Sequence, residues 1–202
     1  MILLTSSAHH IYWLGRYLAR VQYLCSQFPF HENQPALDYA HAFCLPAFDA
    51  SSLNELILDP QQPASFQQQF HYARNNIHDL RGVLSARSFA ELNQLIAQAE
   101  ANATYICDIA GDCDEVLSAE ENTGIFLFFS LGQAIEQLDR QIRLGQNRQQ
   151  TVLQLGKLLP MLHQQGWPCL QEIWTVLSDQ PDTQNFYHFS DQIQALFEMD
   201  PI

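Results

Sequence analysis

The chain has 202 residues, 47% of them hydrophobic, and carries 22 acidic side chains against 9 basic ones, for a formal charge of −13. That length and apolar content suffice for one sizeable core, and the charge argues against a general nucleic-acid binder, because phosphate binding depends on clustered Lys and Arg. An anionic membrane surface is disfavoured for the same reason, and the longest apolar run, Ile125 to Phe129, is too short to span a bilayer.

Apolar residues recur at spacings of three and four along the chain, and no alternating β-branched run occurs, so the expected fold class is all-α, a helical bundle. A first helix opens at the caps Thr5 to Ser7 and ends before Pro29. Pro35, Pro46, Pro60 and Pro63 punctuate a looser region of short helices, one of them over Ser52 to Leu58. A long helix follows from Ala64 to Leu84. Ser88-Phe89-Ala90-Glu91 has the form of a capping box and opens a helix that runs towards Cys107. The acidic stretch Gly111 to Glu115 reads as a solvated turn. Ser118-Ala119-Glu120-Glu121 has the form of a second capping box and opens a helix to about Leu144. The remaining helices are expected over Arg148 to Gln164, Pro168 to Leu177 and Ser190 to Met199.

The chain holds one Lys and eight Arg, and two of the arginines, Arg16 and Arg20, sit four residues apart among aromatics. The first helix shows His9, Tyr12, Trp13, Arg16, Arg20 and Tyr23 on a face beside its apolar stripe. A planar guanidinium beside rings suits carboxylate, phosphate or stacking. The same helix also matches a later one. From Leu14-Gly15 to Leu131-Gly132 is an offset of 117 residues, and at that offset Ile11, Leu14, Leu18, Val21 and Cys25 fall on Phe128, Leu131, Ile135, Leu138 and Ile142. The expectation is a single domain over residues 1–202 with two related halves, about 1–110 and 118–202, in a pseudo-two-fold arrangement. A glycine inside a helix marks close helix approach, which supports the match.

Three blocks resemble the alpha-E family, a bacterial all-helical family named for a recurrent Glu-Arg pair. Tyr12-Trp13-Leu14-Gly15-Arg16-Tyr17-Leu18-Ala19-Arg20 is similar to its opening motif, Tyr-Trp-Leu-Gly-Arg-Tyr-Leu-Glu-Arg. Ala73-Arg74-Asn75-Asn76-Ile77-His78-Asp79-Leu80-Arg81 resembles a second block, and the Leu131-Gly132 helix a third. The chain departs from the pattern where it matters: Ala19 stands at the family's Glu in the first copy, while the second copy keeps Glu136 but has Gln133 and Gln137 in place of arginines. The complementary losses suggest one composite site, with arginines from one helix facing Glu136 or Asp139 on the other.

The candidate ligand- or partner-binding residues are Tyr12, Trp13, Arg16, Arg20, Arg74, Asn76, His78, Arg81, Glu136 and Asp139. Arg74, His78 and Arg81 follow three-and-four spacing and so share a face of the expected long helix. Against a ligand role stands the register salt bridge, the commoner use of bundle arginines. No catalytic residue, metal site or cofactor is expected: the histidines lack ligand spacing with a carboxylate, and no Ser-His-Asp order, Walker loop or Gly-rich fingerprint is visible. The five scattered cysteines fit reduced thiols better than a disulfide framework, the N-terminus lacks the layout of a secretory signal, and the expected compartment is the cytoplasm.

The resemblance implies a context, as companion of ATP-grasp proteins and of transglutaminase-like or N-terminal-nucleophile hydrolases. Three readings follow. The leading one is a noncatalytic helical partner, or substrate-presenting subunit, of an ATP-grasp-type peptide or amide ligase. The others are an enzyme acting on a peptide or amino-acid amide in an Arg-lined groove, and a homodimer packed through the C-terminal aromatics Trp167, Trp174, Phe186, Tyr187 and Phe189.

Overall fold

The computed structural model describes residues 3–101 and 105–198. Among them are ten helices and no strand: α1 (Thr5–Gln27), α2 (Asn33–Ala42), α3 (Ala50–Leu58), α4 (Phe66–Asp79), α5 (Ala86–Ala101), α6 (Ile106–Ser118), α7 (Thr123–Arg143), α8 (Gln149–Gln164), α9 (Gln171–Asp179) and α10 (Thr183–Glu198). The all-α expectation holds. No helix among the described residues is long and apolar enough to cross a membrane.

The chain divides into two compact units. The first joins the residues up to Arg16 to those from Glu120 onward, and the second is Tyr17–Ala119. One boundary lies in the connector before α7. The other lies inside α1, which gives its first turns to one unit and its last turns to the other.

In the first unit α7 packs on α8 and α10, and α9 packs on α8 and α10. The beginning of α1 crosses α7 at two glycines. A Cβ on Gly15 would run into the Phe129 carbonyl and lie 3.2 Å from the Gln133 nitrogen. A Cβ on Gly132 would run into the Tyr12 carbonyl and lie 3.2 Å from the Arg16 nitrogen. Stepping back 117 residues takes Gly132, Phe129 and Gln133 to Gly15, Tyr12 and Arg16, so the crossing maps onto itself at the offset read from sequence. Only hydrogen at these positions lets two backbones come this close. Around the notch Ile11, Leu14, Phe128, Phe129, Leu131 and Ile135 are fully buried, each side chain contributing about 1.5–3 kcal/mol by leaving water.

In the second unit each of α2 to α5 packs on the next helix in the chain. Asp49 and Ser52 form a capping box at α3. Asn54 clamps the chain after α1, accepting from Phe30 N and donating to Phe30 O, both at 2.9 Å. The last turns of α1 are tied to α6 by a hydrogen bond from Gln22 Nε2 to Ala110 O at 3.2 Å and by a disulfide between Cys25 and Cys107, whose Cα atoms are 5.5 Å apart. The expectation of five reduced thiols is thus corrected to one bonded pair and three free cysteines, Cys44, Cys113 and Cys169. A pair 82 residues apart leaves no local spacing signal.

Several expected boundaries also move. The helix expected over Ala64 to Leu84 stops at Asp79, and Gly82, at φ +101°, turns the chain away. The cap of α5 is Ser85, whose hydroxyl accepts from Ser88 N at 3.1 Å, so the apparent box residue Ser88 lies inside the helix. Helix α5 is described to Ala101, and the stretch of its expected course over 102–104 lies outside the described residues. The acidic stretch Gly111 to Glu115 is not a turn but the middle of α6, because Ile109, Ala110, Cys113 and Leu117 form a buried stripe that outweighs the turn propensity of Gly and Asp. Ser118 closes α6, and α7 is capped by Asn122, which accepts from Gly124 N at 2.9 Å. Helix α9 starts after Pro168, and α10 starts seven residues before Ser190; Met199 lies outside the described residues.

Candidate functional site

The buried stripe of α1, with Ala8, Ile11, Leu14 and Leu18, turns Tyr12 and Arg16 into the first unit. There the guanidinium meets α7. Arg16 Nε donates to Glu136 Oε2 at 2.9 Å, and Arg16 Nη2 lies 3.8 Å from Asp139 Oδ2. Arg16 is 8% exposed and Glu136 3%. The guanidinium carbon also stands 4.9 Å from the centroid of the Trp13 ring and 5.9 Å from that of Tyr12. The composite pairing suggested by the complementary losses is present, with Arg16 as the arginine of this ion pair.

The network continues outward along α7. Asp139 Oδ1 accepts from Arg143 Nε at 2.7 Å, and Arg143 Nη2 donates to the Tyr187 hydroxyl of α10 at 2.6 Å. Sequence reasoning missed Arg143 and Tyr187. The i, i+4 spacing of Asp139 and Arg143 is a legible signal, whereas Tyr187 arrives from another helix. Burial works against the charge on Arg16, but Tyr12, Glu136 and Asp139 outweigh it and hold the group protonated beyond its ordinary range. Burial pushes the Tyr12 hydroxyl up, and Arg16 opposes only part of that. Arg143 is likewise raised: burial counts against its charge, and Asp139 and Tyr187 prevail. Two guanidiniums and two carboxylates therefore satisfy one another.

Arg20 belongs to the second unit. Its Nη1 donates to Gln69 Oε1 at 3.1 Å, Gln69 itself being buried and donating to Pro63 O at 2.7 Å. Arg20 also stands 5.9 Å from the centroid of Tyr17, whose ring lies 5.5 Å from that of Tyr72. On α4, Arg74 Nε donates to His78 Nε2 at 3.4 Å, and Asn76 Nδ2 donates to Tyr72 O at 2.8 Å, a bond within its own helix. Arg81, expected on the same face as Arg74 and His78, lies past the end of α4 in the exposed turn before Gly82. The shared face is therefore corrected to Arg74 and His78 alone. The candidates thus fall in two groups: Tyr12, Trp13, Arg16, Glu136 and Asp139 in the first unit, and Arg20, Arg74, Asn76, His78 and Arg81 in the second.

Cys113 is buried, and burial followed by the charges of Asp112 and Asp114 pushes its thiol up to about 12, far from thiolate reactivity. Of the C-terminal aromatics, Trp174, Phe186 and Phe189 are buried in the first unit, and Trp167 packs edge-on against Phe128 at 4.6 Å. Only Tyr187 is exposed among them, and its hydroxyl is held by Arg143.

A family model described as a predicted alpha-helical domain with a conserved ER motif matches residues 3–171. No curated protein and no solved structure matches the chain. The sequence contains no Glu-Arg dipeptide. Its buried Arg-Glu partnership is made instead by two helices, between residues 120 positions apart.

Proposed function

The chain belongs to the alpha-E family, and on that footing we propose that it is a noncatalytic helical partner of an ATP-grasp-type peptide or amide ligase, working in the cytoplasm and presenting a docking face or a peptide substrate to that enzyme. The partner class rests on the family resemblance. The observation that carries the noncatalytic reading is the closure of the charge network: Glu136 is bound to Arg16, and Asp139 to Arg143, with Arg16 alongside. A general base must reach a substrate proton, and a guanidinium that binds substrate must offer open donors. A pair already matched and buried between two helices, as Arg16 and Glu136 are, instead fixes helix register.

Docking then falls to the second unit, where α4 carries the half-buried Arg74 and the exposed His78 and places Tyr72 against Tyr17, and Arg81 is exposed in the turn that follows. Arginine and tyrosine are the side chains most used in interface centres. The homodimer reading loses its proposed surface, since most of the C-terminal aromatics are core residues.

The test is affinity capture of the tagged full chain from its native cell extract, with and without ATP, followed by mass spectrometry. Recovery of an ATP-grasp ligase that Arg74→Ala and Arg81→Ala weaken without lowering Tm supports the proposal. Bare protein under both conditions rejects it and turns attention to an enzyme acting on a peptide or amino-acid amide.

A further inference from the structure

The disulfide of the second unit joins unequal partners. Cys25 is half-buried in the last turn of α1, whereas Cys107 is exposed in the first turn of α6. A hydrogen bond from Gln22 to Ala110 also joins α6 to α1. Cys107 is thus the half of the bond nearer solvent and the one an external nucleophile meets first, and Cys25, whose sulfur such an attack would displace, stays on α1, placed to re-form the bond. A disulfide buried on both sides acts as a permanent staple; one with an exposed sulfur exchanges.

From this placement we infer that Cys25–Cys107 is a reversible redox clasp, opened by a small dithiol or a dithiol oxidoreductase without unfolding of the chain, and that its state sets how firmly α6 is anchored to α1. A thiolate of the reductant attacks Sγ of Cys107, forming a mixed disulfide. The bond to Cys25 breaks, and its electron pair leaves on Cys25 Sγ, which takes up a proton. The second thiol of the reductant then attacks its own sulfur in the mixed disulfide and releases Cys107, which is protonated in turn. The protein gains two electrons and two protons, and the reductant leaves as its disulfide. In a compartment kept reducing, disulfides of this kind are transient and sensing, not structural.

Free thiols provide the count. Cys44 and Cys169 are exposed and Cys113 is buried, so iodoacetamide should label only Cys44 and Cys169 on native full-length protein purified without reductant. After brief dithiothreitol treatment Cys25 and Cys107 should be labelled as well, the circular dichroism should keep its helical signal, and Cys113 should react only in denaturant. Reoxidation should restore the original pattern. The bond closes a loop of 82 residues, so Tm should fall by roughly 10 °C on reduction. The double variant Cys25→Ser/Cys107→Ser should match reduced wild type and ignore dithiothreitol. Labelling of Cys25 or Cys107 before reduction, opening only in denaturant, or an unchanged Tm on reduction each overturns the inference.

Discussion

Helix α1 carries two arginines one turn apart, and the two units use them differently. In the first unit Arg16 is buried between aromatic rings and paired with Glu136. In the second, Arg20 is half-exposed and donates to the neutral Gln69. The ion pairs differ in the same sense: the side chains of Arg16 and Glu136 are 9% and 4% exposed, whereas Arg87 and Glu91 on α5 pair at 3.9 Å with 90% and 48% exposure. The first unit is organised by charge taken out of water and by backbones in contact. The second is organised by caps, an asparagine clamp and a covalent bond. Residue type and spacing therefore say little about an arginine's role until burial is known, because the same pair that is nearly neutral in water becomes costly to break inside.

Deleting one carboxylate in each unit is the sharpest way to break this contrast. Glu136→Ala should destabilise the protein by about 4 kcal/mol, since it strands a buried guanidinium. Glu91→Ala should cost less than about 0.5 kcal/mol. Urea unfolding of both variants measures the difference, and equal losses would end the distinction. Glycines provide a second comparison, with opposite signs. Gly132→Ala drives a methyl into the Tyr12 carbonyl and should cost about 3 kcal/mol. Gly111, inside α6, has nothing within 4 Å of the position a Cβ would take, so Gly111→Ala should stabilise by up to about 1 kcal/mol. Thermal melts of the pair decide it.

The smallest effect is acid sensitivity in the first unit. His9 packs against Phe197 with ring centroids 5.2 Å apart, and burial, aided by His10, lowers its pKa below the ordinary 6.5. The unfolded chain then takes up a proton at His9 before the folded one does, so stability is lost as pH falls below about 6.5 and is regained above it. His9→Gln should flatten that part of the stability–pH curve, and a curve unchanged by the substitution would remove His9 from the account.

What the sequence showed depended on periodicity. The courses of α1 and α8 were legible because their apolar stripes are long and regular. The caps were not: Ser88 and Ser118 each precede an acidic residue at capping-box spacing, but any such serine qualifies, and the true caps Ser85 and Asn122 were fixed by where the chain turns. Gly111 to Glu115 looked like a turn because the burial of Cys113 depends on neighbours that the local composition does not reveal. At the site, Arg16 and Glu136 were legible through the charges missing opposite them. Tyr187 was not, because its partner Arg143 is 44 residues away on another helix, and Arg81 was misplaced because Gly82 ends the helix expected to carry it.

The crossing at Gly15 and Gly132 has a consequence for how such a chain evolves. A contact that maps onto itself under a fixed offset has the form of a homodimer interface, in which residue i meets j and j meets i. In a true homodimer every substitution is made twice, so a charge lost from one helix is lost from both. Placed in one polypeptide, the two sides mutate separately. One helix can then keep the arginine and the other the glutamate, and a single gene can discard half of an ancestral motif while retaining one complete ion pair.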